Sequence, residues 1–239
     1  MPLKQRKTDY HCHILPGIDD GPAERETSIE MARLLSRAGY SEVYCTSHLI
    51  KGIYEATNQE VLDERERLQS ELDKAGIAIK LLAGREYYLD EFLLEFIRQP
   101  LLLEGTNCFM IEIPPQSAVD LVKETLFEVI RRGYLPIIAH PERCPLLETS
   151  ESETNKKSGW KSLLSRNPSE RNENESGNDL LQYLKRLGCH FQANLGSFSG
   201  HYGSSVKNNA RNMEKNGTYD YAGTDAHSPE TIKEIFGLR

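Results

Sequence analysis

Short apolar runs alternate with amphipathic helical segments along this chain, and that rhythm constrains the fold more than any other feature. Candidate strands are Asp9–His13, Glu42–Thr46, Ala78–Ala83, Cys108–Ile113, Leu135–Ala139, His190–Asn194 and Tyr219–Ala222. Between them lie helical patterns. Val122, Leu126, Val129 and Ile130 form one apolar face, and Leu180, Leu184 and Leu187 form another. Gly39, Gly76, Gly133 and Gly188 each follow a helical pattern, where a left-handed C-terminal cap favours glycine. Strand–helix alternation of this kind predicts a parallel sheet with right-handed crossovers. About seven repeats favour an α/β barrel, a distorted (β/α)7 TIM-like fold, over an open doubly wound sheet. The nucleotide-binding glycine fingerprints of doubly wound proteins are absent.

The 239 residues fit one domain spanning 1–239, with a polar surface insertion at about 148–178. That stretch is rich in Ser, Glu, Asn and Lys; Trp160, Leu163 and Leu164 are its sizeable apolar content, and a short helix around Trp160 is conceivable. The net charge of −7 argues against a general nucleic-acid binder. With a mean hydropathy of −0.56 and no apolar run of membrane-spanning length, no membrane insertion is expected. Five cysteines at irregular spacing, without a C-x-x-C pair or an export signal, suit a reducing cytoplasm.

Histidines and carboxylates recur at strand ends. His11 and His13 project from the same face of the first strand. Asp19 and Asp20 follow in a Pro/Gly turn, and either is a candidate ligand. His48 follows the second strand and Glu86 the third. Glu112 sits inside an apolar run, where a carboxylate is costly unless paired or metal-bound. His140 ends Pro136–His140, and Asp225 and His227 end the last strand. Thus five of the seven histidines fall where parallel barrels build their sites; His190 and His201 do not and read as peripheral. Mixed imidazole and carboxylate ligands without thiolate suit manganese, iron or zinc. So many ligands suffice for two or three ions, which would activate a bridging hydroxide as nucleophile. Arg143 adds a planar cation suited to a phosphate. The constellation implies metal-assisted hydrolysis of a phosphate ester. A cysteine-nucleophile mechanism is disfavoured because no cysteine has an arginine six residues on; Cys45 reaches Lys51.

Asp9–Pro22, Ile138–Arg143 and Gly223–His227 together resemble the polymerase-and-histidinol-phosphatase (PHP) superfamily, and within it the bacterial manganese-dependent protein-tyrosine phosphatases of capsule and exopolysaccharide loci. The resemblance spans nearly the whole chain. It implies a distorted seven-stranded barrel and three divalent ions, manganese first, with iron or zinc as alternatives. By resemblance, one ion would take His11, His13, Glu86 and Asp225; a second Glu86, Glu112 and His140; a third Asp20, His48 and His227. Arg143 matches a phosphate-binding arginine. Asp20 or His48 would assist departure of the phenolate. The implied partner is a phosphotyrosine protein substrate, the tail of a membrane tyrosine kinase that controls polysaccharide export; an oligomer is compatible with it. Two departures stand out: no arginine lies between His227 and Arg239, and the chain ends soon after the last motif. The competing functional readings are a phosphatase of a small ester such as histidinol phosphate, and a non-catalytic metal-binding regulatory protein.

Overall fold

A computed structural model describes residues 7–148 and 177–238. Nearly all of the polar stretch at 148–178, with the helix considered around Trp160, lies outside the described residues.

The observed order is β1 (Lys7–Cys12), α1 (Arg25–Arg37), β2 (Tyr40–Cys45), β3 (His48–Leu49), α2 (Asn58–Lys74), β4 (Lys80–Ala83), β5 (Glu86–Tyr88), α3 (Leu93–Phe96), β6 (Cys108–Glu112) and α4 (Val119–Arg131). It continues with β7 (Leu135–Ala139), two 3-10 turns, α5 (Gly177–Leu187), β8 (His190–Asn194), α6 (Leu195–Ser199), α7 (Ser204–Lys215), β9 (Tyr221–Gly223) and α8 (Pro229–Phe236). Every strand pairing is parallel, in the orders β1-β2-β4 and β3-β5-β6-β7-β8-β9. The four glycines expected to cap helices have φ of 90°, 67°, 87° and 93°.

Two of the expected strands are each broken in two. After Cys45 the chain steps through Thr46 and Ser47 and resumes as β3; after Ala83 it steps through Gly84 and Arg85 and resumes as β5. His48 and Glu86 therefore sit within strands, not after them, which corrects the sequence reading. Backbone hydrogen bonds span both breaks, from Thr46 N–H to Cys12 O (3.0 Å) and from Glu86 N–H to Ser47 O (3.2 Å). Counting each broken pair as one stave leaves seven among the described residues. The first and last staves meet: Cys12 bridges Ala226 in parallel, Asp225 N–H donates to His11 O (2.7 Å) and His13 N–H to Ala226 O (3.0 Å). This is the distorted barrel that the strand count implies.

Strand alternation sorts the core. On β6, Phe109 and Ile111 face the helical layer with Ile138 and Phe191, while Cys108 and Met110 pack inside the barrel with Tyr44, Leu82 and Ile137. The inward series of β6 continues to Glu112, and that of β8 runs through Gln192 to Asn194. On β1 the parity is broken. Tyr10 packs against the interior cluster, Cys12 lies in the outer one, and the pairing register with β2 shifts between Asp9 and Cys12. Such an irregularity re-aims side chains. It turns His11 and His13 toward the rim above the interior.

Candidate metal centre

His11 and His13 leave β1 side by side and each is oriented through its Nδ1. His11 Nδ1 lies 2.8 Å from Gln192 Oε1, which also accepts from His140 N–H at 3.3 Å. An oxygen that accepts from a backbone amide can only accept from His11, so His11 carries its proton on Nδ1 and aims Nε2 inward. Asp19 does the same for His13: its Oδ2 accepts from Nδ1 at 2.7 Å and from His48 N–H at 2.8 Å, and its Oδ1 accepts from Gly21 N–H at 3.0 Å. Partners of this kind fix the imidazole tautomer of a metal ligand.

The two freed Nε2 atoms lie 3.1 Å apart. Glu86 Oε2 is 3.1 Å from one and 3.2 Å from the other. Asp225 Oδ1 is 3.3 and 3.4 Å from the same pair. Four potential ligand atoms therefore converge on one buried point, an arrangement that suits a bound cation. Around it, His48 Nδ1 and His140 Nε2 each approach Glu86 at 3.2 Å. Glu112 lies 4.0 Å from His140. Asp20 lies 3.3 Å from His227 and 3.8 Å from His48. Three groupings have the spacing of ion sites: His11, His13, Glu86 and Asp225; His13, Asp20, His48 and His227; and His48, Glu86 and Glu112. All nine side chains singled out as ligands in the sequence thus gather at one rim; Asp20 approaches His227 and His48 there, while Asp19 is taken up by His13 Nδ1.

The electrostatics agree. Burial acts to lower the His11 pKa, but Glu86 and Asp225 outweigh it and push it up to about 9. Burial likewise opposes charge on Glu86, yet His11 and His48 hold it well below the usual carboxylate range. Burial, followed by the charge of Glu86, raises Glu112. Glu86 Oε1 and His48 Nδ1 are buried without a hydrogen-bond partner. A carboxylate oxygen and an imidazole nitrogen left so are costly unless a cation takes the lone pairs. The donor set is oxygen and nitrogen with no thiolate, which fits a borderline divalent ion. Two of these residues sit in left-handed backbone: His140 has φ 30° and Asp225 φ 51°. Non-glycine residues adopt it at a cost of roughly 1–3 kcal/mol, and it clusters at functional positions.

A cavity of about 420 Å³ opens beside the cluster and is lined in part by Asp20, Glu112, Arg143, Tyr202 and His227. Arg143, at the end of the 3-10 turn after β7, donates to Asp225 Oδ2 at 2.6 Å and lies over the Tyr202 ring, 4.3 Å from its centroid. A larger hollow of about 630 Å³, lined in part by Phe198, Tyr219 and Tyr221, includes none of these nine side chains.

Sequence reasoning missed two residues that matter here. Gln192 orients His11, and Asn194 donates to Asp225 Oδ2 at 2.8 Å. Their only sequence signal was that β8, alone among the long strands, carries amides where its neighbours carry ligands. As expected, His190 and His201 lie away from the cluster, paired with Asp220 and Glu234.

A family model described as "Capsular polysaccharide synthesis, CpsB/CapC" matches residues 7–157 and 158–233. Tyrosine-protein phosphatase YwqE of Bacillus subtilis is 29% identical over 225 residues, covering 93% of this chain and 78% of the relative. Tyrosine-protein phosphatase CpsB of Streptococcus agalactiae is 29% identical over 145 residues, 60% of either chain. Among solved structures, one from a study of YwqE from Bacillus subtilis and CpsB from Streptococcus pneumoniae, described as metal-dependent tyrosine phosphatases, matches with TM-score 0.77 and 26% identity, covering 97% of this chain and 85% of the other. A histidinol phosphate phosphatase from Lactococcus lactis, solved with zinc, L-histidinol and phosphate, matches with TM-score 0.52 at 14% identity over 98% of this chain and 92% of the other, a likeness of fold.

Proposed function

Because the chain belongs to the CpsB/CapC family of capsular polysaccharide synthesis, we propose that it is a metal-dependent protein-tyrosine phosphatase. The observation that carries this reading is the convergence of five histidines and four carboxylates, with Glu86 Oε1 and His48 Nδ1 buried without a hydrogen bond, beside an arginine-bearing cavity. The ligand sets proposed are those named from the motifs; His13 also lies within reach of the group formed by Asp20, His48 and His227, and His48, not His140, groups with Glu86 and Glu112. Manganese is the preferred ion and three the number proposed. When bound, such ions lower the pKa of water and neutralise phosphoryl charge.

The chain's own residues do the rest. Gln192 and Asp19 hold two imidazoles in the ligating tautomer. Arg143 swings its fork toward the phosphoryl oxygens, exchanging part of its contact with Asp225 for the substrate. A hydrogen bond with His227 keeps Asp20 below its ordinary pKa, and burial lowers His48. At neutral pH both therefore serve better as ligands than as acids. Little acid help is needed, since tyrosine's phenol has a pKa near 10.

All five cysteines are buried. Burial pushes the thiols up, to about 11 at Cys144 and about 12 at Cys189, and well above the ordinary value at Cys12. A thiolate nucleophile is thus disfavoured. Cys12→Ser should keep most of the activity.

The substrate proposed is a phosphotyrosine on a bacterial tyrosine autokinase governing capsule or exopolysaccharide synthesis, met in the cytoplasm. Among the described residues no helix is long and apolar enough to cross a membrane. The test compares turnover of a phosphotyrosyl peptide and of histidinol phosphate by the manganese-loaded protein. Faster peptide cleavage is expected; faster histidinol phosphate cleavage would replace the substrate, and no release from either would favour a regulatory role. Glu112→Gln should cut the rate by about 10–100-fold with the fold intact, as for other losses at a metal site.

A further inference from the structure

We propose that Tyr202 is a second phosphate-binding group of this site, donating its phenolic proton to a phosphoryl oxygen beside Arg143. The inference rests on the phosphatase reading and assigns a role to a residue outside the nine ligands and the arginine.

The argument begins with a shortage. Of the side chains that line the cavity, Arg143 alone is a lysine or arginine. A transferring phosphoryl group spreads charge over three equatorial oxygens, and donors fixed in advance are what stabilise it. A single guanidinium beside the metal cluster leaves room for another donor.

Tyr202 stands where that donor belongs. It comes from the turn between α6 and α7, held by hydrogen bonds from His201 N–H to Gly196 O (3.2 Å) and from Gly203 N–H to Gly200 O (2.9 Å). Its ring lies under the Arg143 guanidinium at 4.3 Å, a cation–π contact that fixes how ring and fork sit together. Its hydroxyl meets Asn194 Nδ2 at 3.1 Å.

The direction of that hydrogen bond decides the matter. Asn194 Oδ1 accepts from Gly196 N–H at 2.8 Å, and its Nδ2 faces the acceptor-only Asp225 Oδ2 at 2.8 Å. Both contacts fix the amide in one orientation, so the second Nδ2 hydrogen is donated to Tyr202. The Tyr202 oxygen is therefore an acceptor in this bond, and its own proton remains available. Burial keeps the phenol protonated by raising its pKa, which suits a donor. The same Asn194 amide thus orients the ligand Asp225 and the proposed donor Tyr202.

The test uses the full chain loaded with manganese. Tyr202→Phe keeps the ring under Arg143 and removes the donor. It should lower kcat/KM for a phosphotyrosyl peptide by about 10–100-fold, the range for a hydrogen bond to a charged group, and weaken competitive inhibition by inorganic phosphate by a similar factor, with metal content and circular dichroism unchanged. Tyr202→Leu, which also removes the platform, should weaken both further. In a structure of the wild-type protein with inorganic phosphate, the Tyr202 oxygen should lie within hydrogen-bond distance of a phosphate oxygen. That measurement decides the question even if the substituted proteins fold poorly. An active wild-type enzyme whose Tyr202→Phe variant matches it in both kcat/KM and phosphate inhibition, or a bound phosphate beyond reach of the hydroxyl, overturns the role of Tyr202 and leaves the phosphatase reading standing. A wild-type protein that cleaves no phosphotyrosine with any divalent metal removes the reading beneath it.

Discussion

His11 shows at the scale of one residue what was legible in the sequence and what was not. The H-x-H pair, the aspartates of the Pro/Gly turn and the Asp225–His227 pair were visible because imidazole and carboxylate side chains are rare at the ends of apolar runs. The residues that aim them were hidden. Gln192 and Asn194 are ordinary polar side chains in sequence, and only the inward parity of β8 reveals that one orients His11 and the other Asp225. Asp19 and Asp20 are neighbours in sequence with different tasks, separated by which of them reaches His13 Nδ1. From this follows an expectation for Gln192→Leu. With His11 Nδ1 unpaired and its ring free to rotate, manganese affinity measured by titration should fall about 10–100-fold, while circular dichroism stays unchanged. An affinity equal to wild type would show that the Gln192 contact is incidental.

At the scale of elements, the seven staves were readable from alternation, and two boundaries, Leu135–Ala139 and His190–Asn194, agree with the structure. The breaks were not readable. β3 has two residues and β5 three, too short for any periodicity to show. Yet these fragments carry His48 and Glu86. Buried Arg85, at the second break, donates to His48 O at 3.0 Å and to Ala56 O at 2.5 Å, and so holds the loop after β3 against the rim. Gly223 is the other hidden constraint. A Cβ there would lie 2.5 Å from both His11 N and His11 Cβ, so the last stave can approach the first only without a side chain. Gly223→Ala must push β9 off β1 at His11, a proposed metal ligand. We expect a loss of roughly 1–3 kcal/mol in denaturant unfolding, the usual range for overpacking, accompanied by weaker metal binding. A variant with unaltered stability would mean that the seam is loose enough to take a methyl group.

For the whole molecule, closing the barrel gathers acidic and imidazole groups that the metal-free protein must tolerate at one rim, including two proposed ligands, His140 and Asp225, in left-handed backbone. Ions that bind the folded form and not the unfolded chain raise stability, by about 2.7 kcal/mol at a hundredfold excess over Kd. Tm should therefore rise with added manganese and fall with a chelator. The sign of the pH dependence follows from the same groups. In the metal-free site the carboxylates hold His11 protonated up to about pH 9. Metal must displace that proton, so binding releases protons and affinity grows as pH rises toward that value. Calorimetry in buffers of different ionisation enthalpy would read the proton release directly, and none at neutral pH would contradict the assignment of His11.

The most direct test is elemental analysis of the purified, folded protein after reconstitution with manganese and removal of free ion. The proposed function predicts about three ions per chain, and a loss of most of them in Glu86→Gln, since that carboxylate stands within reach of four imidazoles. Well-folded protein that retains only a trace of manganese, iron or zinc would contradict the account at its root.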